Sequence, residues 1–228
     1  LSAPDMPMRS GGLSHGAEPA PVRGARRADV VVVGGTPGGI AAAVTAARLG
    51  RSAALIEYHR HIGGMAASGL SKSDVEHRPL IGGLFREFTQ RVLDTYVRRF
   101  GPQSDNVRLC DDGYYYEPSV AEAVFEDMAR ELPGIAVIKG SRLTSVVRTD
   151  HTISGITVVD RQTEQATDVF GSVFIDATYE GDLYAAAGAG FRLGREARDD
   201  FDERHAGIVY FDYQTGVFLS GTTGAADD

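Results

Sequence analysis

Cysteine occurs once in the 228 residues of the chain, at Cys110, which excludes an intrachain disulfide and a cysteine-based metal cluster. Basic residues are also few: 23 Lys and Arg against 31 Asp and Glu leave a formal net charge of −8. A surface that neutralises nucleic-acid phosphates needs clustered positive charge, so no nucleic-acid partner is expected. The small cluster Arg23, Arg26 and Arg27 reads as a solvated tail ahead of the first strand. No apolar run is long enough to span a membrane, and no secretory apolar core lies near the start of the chain. Residues 1–28 are rich in Gly, Pro, Ala and Ser without apolar periodicity, and they read as a flexible N-terminal arm.

Residues 29–57, DVVVVGGTPGGIAAAVTAARLGRSAALIE, carry the strongest signal. Val30 to Val33 suit a strand buried on both faces of a parallel sheet, and the glycines from Gly34 end it abruptly. The alanine-rich stretch Gly39 to Leu49 favours a helix that packs close to the sheet, with Gly50 as its stop and Ala53 to Ile56 as the next parallel strand. The helix tip has unpaired amides and partial positive charge, so the turn Gly34, Gly35, Thr36, Pro37, Gly38 and Gly39 is suited to a pyrophosphate. Measured against G-x-G-x-x-G, the turn has threonine at the middle position, where the Thr36 hydroxyl is expected to donate to phosphate and Pro37 to stiffen the loop. Glu57, at the end of the second strand, is placed to accept both hydroxyls of an adenosine ribose and would repel a 2′-phosphate, which favours FAD or NAD over NADP.

A second glycine turn follows at Gly63 and Gly64, just beyond that acid. A cofactor that continues into a ribityl chain and a flavin ring needs the backbone to lie close along it, which favours FAD over NAD. Ile81, Leu84, Phe85, Phe88, Val92, Tyr96 and Phe100 mark an amphipathic helix over residues 81–100 that serves as core packing. Glu117–Pro118–Ser119 opens another helix, stopped by Pro133 and Gly134. Strands are expected at Ile135 to Ile138, Arg142 to Arg148, Ile153 to Val159 and Ala166 to Phe170, the last three as a meander across the parallel sheet. Ser172 to Asp176 reads as a further buried strand that delivers Asp176 and Thr178 to the ligand-binding edge, ahead of a short helix near Gly188.

In order along the chain, VVVGGTPGGIAAA, HIGGMAASGLS, IGGLFREF, YYYEPSVAEAVFEDM, VFIDATYEGDLYAAAG and FRLGREARD resemble the successive blocks of the FAD-dependent oxidoreductases of glutathione-reductase-like fold, over about residues 29 to 228. The resemblance implies an α/β chain: a Rossmann-like FAD-binding domain with parallel sheet and β-meander over residues 29–190, a substrate-side insertion over 80–115, and the start of a substrate domain over 191–228. It implies that Gly34 to Gly39 hold the pyrophosphate, Glu57 the ribose, and Gly63, Gly64, Met65 and Ala66 the ribityl side. Leu143 would meet the adenine edge through its backbone, and Asp176, Ala177 and Thr178 would close over the adenosine half. Segment 218–228 is similar to a stretch inside the family's substrate domain, and the chain starts at Leu1, so a fragment, a processed subunit or half of a split enzyme is expected, with a complementary polypeptide completing the site.

The implied activity is oxidation or reduction of a small organic substrate through the flavin. A flavin carries the redox chemistry itself, which leaves the protein to position substrate and move a proton. The residues suited to the proton are His59, His61, His77, Tyr179 and the run Tyr114–Tyr115–Tyr116–Glu117, in which Tyr114 and Tyr116 share one face and read as core. The charge run Arg192, Arg195, Glu196, Arg198, Asp199 and Asp200 reads as a solvated face. The same features also suit two rivals, a non-catalytic nucleotide-binding subunit of a larger complex and an NAD-binding dehydrogenase domain.

Overall fold

The computed structural model describes residues 24–203, 206–207 and 210–219. In chain order the elements are β1 (Ala25–Arg27), β2 (Val30–Val33), α1 (Pro37–Arg48), β3 (Ala53–Ile56), α2 (Gly64–Ala67), α3 (Gly83–Phe100), α4 (Asp105–Leu109), α5 (Pro118–Arg130), β4 (Ile135–Ile138), β5 (Ser141–Thr149), β6 (Thr152–Asp160), β7 (Ala166–Phe170), β8 (Val173–Asp176), α6 (Asp182–Ala186), α7 (Arg198–Phe201), β9 (Tyr210–Asp212) and β10 (Val217–Leu219).

Two four-stranded sheets organise the first unit. One is wholly parallel in the order β4-β3-β2-β8, and the other runs β1-β7-β6-β5. The chain steps from β2 to β3 to β4 in one direction and later returns to place β8 on the opposite flank of β2. The carboxyl end of β2 is therefore a switch point, where such sheets leave a crevice.

The strand alternation sorts the side chains into two cores. Val32, Ala53 and Leu55 pack with Ile40, Ala43 and Val44 of α1 and with α3 and α5. Val31, Val33, Ala54 and Ile56 face the other way, onto Ile156, Val158 and Val169 of the meander. The parallel sheet is thus buried on both faces, as the run of valines requires. In the helical layer Phe88 stacks on Phe125 with ring centroids 4.4 Å apart, and Phe88, Val92, Tyr96 and Cys110 belong to the same core as α1. The segment expected as an insertion over 80–115 therefore supplies part of the core of the first unit.

Helix ends follow their sequence signals. Thr36 caps α1 through its side chain and Pro37 occupies the first turn; Pro118 does the same at α5. Tyr114 and Tyr116 are buried, and Tyr115 turns outward over Lys72. The Tyr96 hydroxyl donates to the Glu117 carboxylate at the start of α5, and burial together with that partner pushes its pKa up to about 12.

Two boundaries differ from the sequence reading. Of the expected arm, residues 1–23 lie outside the described residues, whereas Ala25–Arg27 pairs in parallel with Asp168–Phe170 of β7. All three β1 side chains are exposed, so the strand is held by backbone pairing and leaves no apolar signature. The second compact unit starts at Gly188, earlier than 191. Taken by itself, that unit contains α7 and an antiparallel β9–β10 pair, and Arg192 bonds Asp200 at 3.4 Å and lies over the Phe201 ring.

Cys110 is 3% exposed, and burial, with Asp112 and Asp111 adding to it, pushes its thiol above the ordinary value. The native chain is therefore expected to resist alkylation by iodoacetamide at neutral pH and to take up one equivalent after unfolding; mass spectrometry of both samples checks this.

Candidate functional site

The first glycine turn is built by close backbone approach. The Gly34 amide donates to the Ile56 carbonyl at 2.8 Å, its φ is +105°, and a Cβ there would run into the Ala177 and Thr178 backbone. A Cβ on Gly39 would fall on the Gly34 carbonyl oxygen, so strand end and helix start touch only because both residues lack side chains.

The amides of this turn divide into two groups. Gly35 donates to Glu57 Oε2 at 2.6 Å, and Gly39 donates to Thr36 Oγ1 at 3.2 Å. Pro37 has no amide hydrogen. The Thr36 and Gly38 amides find no acceptor among the described residues, and they lie at the positive end of the α1 dipole. The anion cradle expected over Gly35 to Gly39 thus narrows to two N–H groups. Thr36 also differs from expectation. Its hydroxyl donates to the Ala177 carbonyl at 2.9 Å while accepting from Gly39, so its hydrogen is committed to the fold and not to a phosphate.

Glu57 is 7% exposed and directly follows β3, beside this turn. Its Oε1 accepts from the His59 amide at 2.7 Å and its Oε2 from Gly35. A carboxylate has about four lone-pair sites, so roughly one remains on each oxygen. The neighbouring strand is fixed to the same point: Ser141 donates its amide to the Glu57 carbonyl at 3.0 Å, away from β6. Two-residue alternation turns the Leu143 amide and carbonyl the same way, onto the outer edge of β5, which is the edge strand of its sheet.

The second glycine turn is tied to the first. Gly63 has a φ of +112° and donates to the Gly35 carbonyl at 2.7 Å, and a Cβ there would meet Ala67 and Phe125. Met65 donates its amide to the Tyr179 hydroxyl at 2.9 Å.

Asp176 and Thr178 do less at the crevice than the sequence suggested. The Asp176 carboxylate turns into its own loop, accepting from the Thr178 amide and hydroxyl at 3.0 and 2.7 Å and from the Leu183 and Tyr184 amides at 2.9 and 3.0 Å. The Thr178 hydroxyl in turn accepts from Gly181 and Asp182. Together they cap α6 and stiffen the loop, which leaves neither side chain free for a ligand. Asp182 follows, and its carboxyl is raised above the usual range by burial, with Glu180 and Asp176 adding repulsion.

A cavity of about 620 Å³ opens at the carboxyl edge of the parallel sheet. Of the expected contacts, Gly34, Thr36, Glu57, Gly64, Met65, Leu143 and Thr178 line it. Gly35, Pro37, Gly38, Gly39, Gly63, Ala66, Asp176 and Ala177 do not; Pro37 and Ala66 instead border a separate apolar space of about 100 Å³ with Phe85, Phe88 and Phe125. Among the proton-moving residues named from sequence, His59 and Tyr179 line the large cavity, whereas His61 bonds Ser68 at 3.0 Å and stacks on His59. Tyr58, Ser68, Arg142, Glu180 and Ala186 also line it and were not expected. Tyr58 directly follows Glu57, Arg142 directly precedes Leu143 and Ser68 lies two residues beyond Ala66, whereas no pattern in the chain marks Glu180 or Ala186.

The fold has counterparts among solved structures. Thermovibrio ammonificans THI4 aligns at 20% identity and TM-score 0.52, covering 87% of this chain and 78% of its own. The Bacillus halodurans glycerol-3-phosphate dehydrogenase complexed with FAD aligns at 13% identity and TM-score 0.50, covering 84% and 44% respectively. AlpK aligns at 19% identity and TM-score 0.51, covering 75% and 35%. The chain spans less than half the length of these last two proteins, and at such identities the likeness shows the fold. A search of curated proteins gave no significant match. Among the described residues no helix is long and apolar enough to cross a membrane. The family model for FAD dependent oxidoreductases matches residues 29–221, with strand, glycine turn and acid all inside the match, and the chain belongs to that family.

Proposed function

We propose that the cavity and the adjoining tip of α1 bind the adenosine and diphosphate half of FAD and that the chain is part of an enzyme oxidising or reducing a small organic substrate. One observation carries the reading: two unpartnered amides at the tip of α1 stand beside a buried carboxylate with one acceptor site left on each oxygen, at the same sheet edge. Dianionic diphosphate suits the first and a vicinal diol the second. Thr36 and Gly38 would hold the diphosphate, Glu57 the ribose hydroxyls, and the outward amide and carbonyl of Leu143 the adenine edge. Gly63 to Ala66 would run along the ribityl chain.

Bound FAD supplies hydride or electron transfer. The residues of this chain bind and orient: Glu57 sets the sugar against the turn, and the Gly63–Gly35 bond fixes the second loop relative to the first. His59, its amide pinned by Glu57, lines the same cavity and would stand beside the adenosine ribose. A complementary polypeptide or a further part of the same chain would complete the substrate side in this proposal; the chain covers 44% of the FAD-complexed B. halodurans enzyme.

The direct test is a visible spectrum of the purified chain after incubation with FAD and desalting. A retained flavin spectrum, with FAD released on denaturation, is expected; its absence together with retention of NAD would overturn the reading. Replacing Glu57 with Gln removes an acceptor and turns an amide N–H₂ toward backbone donors. FAD affinity, followed by quenching of flavin fluorescence, is expected to fall about tenfold to a hundredfold, the worth of a hydrogen bond to a charged group.

Two neighbouring glycines should respond oppositely. A Cβ on Gly38 would meet only Thr36 Oγ1, at 3.8 Å, so Gly38→Ala is expected to stabilise the helix by about 0.5–1 kcal/mol. Gly39→Ala forces strand and helix apart and is expected to cost about 1–3 kcal/mol or more. Thermal melts of the two variants without added cofactor check the contrast.

A further inference from the structure

The loop that follows β8 reaches back across the cavity, and one side chain joins it to the opposite wall. Tyr179 is 54% exposed, yet its hydroxyl accepts the Met65 amide hydrogen at 2.9 Å. A Cβ on Gly64 would contact both the Tyr179 hydroxyl and Pro37 Cδ, so the hydroxyl and the first residue of α1 lie near a common point, at the helix end that carries the unpartnered Thr36 and Gly38 amides. The positive φ of Gly64, +50°, favours glycine, and a side chain there would push the Tyr179 hydroxyl aside.

A phenol both accepts and donates. The Tyr179 oxygen accepts from Met65, and among the described residues its own hydrogen has no acceptor. The base of the loop is rigid, because the Asp176 carboxylate takes four hydrogen bonds and the Thr178 hydroxyl is fully engaged. Among the cavity-lining side chains Glu57, Glu180 and Asp182 are acidic, and the permanent cation Arg142 is shared with Glu164 at 3.4 Å. Attraction for an anion here comes mainly from neutral N–H and O–H donors.

We propose that Tyr179 is a cofactor-positioning residue whose hydroxyl clamps the Met65 backbone to the β8 loop and donates its remaining hydrogen to a diphosphate oxygen of the dinucleotide. The proposal rests on the FAD reading above and adds a third donor to the two amides of the helix tip. It also gives the exposed tyrosine a role in retention of the cofactor and not in proton transfer to substrate.

Tyr179→Phe removes the hydroxyl and keeps the ring, and at a half-exposed position the variant is expected to fold, as circular dichroism would confirm. With the full chain, FAD release, read as recovery of flavin fluorescence on dilution, should quicken about five- to tenfold, the effect of losing one neutral hydrogen bond. ADP affinity should fall by a similar factor and adenosine affinity should stay unchanged, because only the former carries a diphosphate. In the FAD-free variant the Met65 amide should exchange with deuterium faster than in the wild type. Wild-type release rates for FAD and ADP in the variant would overturn the role of Tyr179 while leaving the FAD reading intact. An equal loss of adenosine affinity would also overturn it, by showing a general loosening of the cavity. A wild-type chain that takes up neither FAD nor ADP would overturn the FAD reading and this proposal with it.

Discussion

A single buried carboxylate holds the site together. Glu57 would be costly in an apolar setting if it lacked partners, and the Gly35 and His59 amides supply them at 2.6 and 2.7 Å. Those two bonds join the glycine turn after β2 to the end of β3. The Gly35 carbonyl then accepts from Gly63, which brings the second glycine turn into the same unit. Glu57, the tip of α1 and the second glycine turn are thus three parts of one hydrogen-bonded assembly. Its rigidity serves binding, since little ordering remains to be done when a ligand arrives.

Polar groups at the carboxyl edge of the sheet fall into two classes that look alike in the sequence. Thr36, Asp176 and Thr178 spend their hydrogen-bonding capacity within the protein and stabilise the cap of α1 and the start of α6. Glu57, the Thr36 and Gly38 amides, the Leu143 edge and the Tyr179 hydroxyl keep capacity in reserve and face the crevice or the helix tip. The distinction is one of remaining lone pairs and hydrogens, and it separates groups spent on the scaffold from groups left open more sharply than residue type does.

The layers around the site explain why it can be so glycine-rich. Packing of Val31 and Val33 onto the meander and of Val32 onto α1 fixes the sheet independently of the loops. The turns are therefore free to use backbone groups that a less supported structure would need for its own cohesion. The segment from α3 to α4 contributes to this support through Phe88, Val92 and Tyr96, so it is structural even if its outer face meets substrate.

The sequence by itself determined the parallel strands, the alanine-rich helix after the glycine turn, the meander, and Glu57 as the acid at the strand end. Local rules suffice for these: a run of valines has one sensible environment, and a helix starts where proline is tolerated and stops near glycine. Only the tertiary structure decided that Thr36 bonds Ala177, 141 residues away, that Asp176 caps a helix, and that Tyr179 reaches Met65. It also decided that Ala25–Arg27 forms a strand, because exposed residues paired through the backbone leave no hydrophobic pattern. Each of these depends on which group comes to lie opposite, and a one-dimensional pattern records a residue's own preferences but not the partner that consumes its last hydrogen bond.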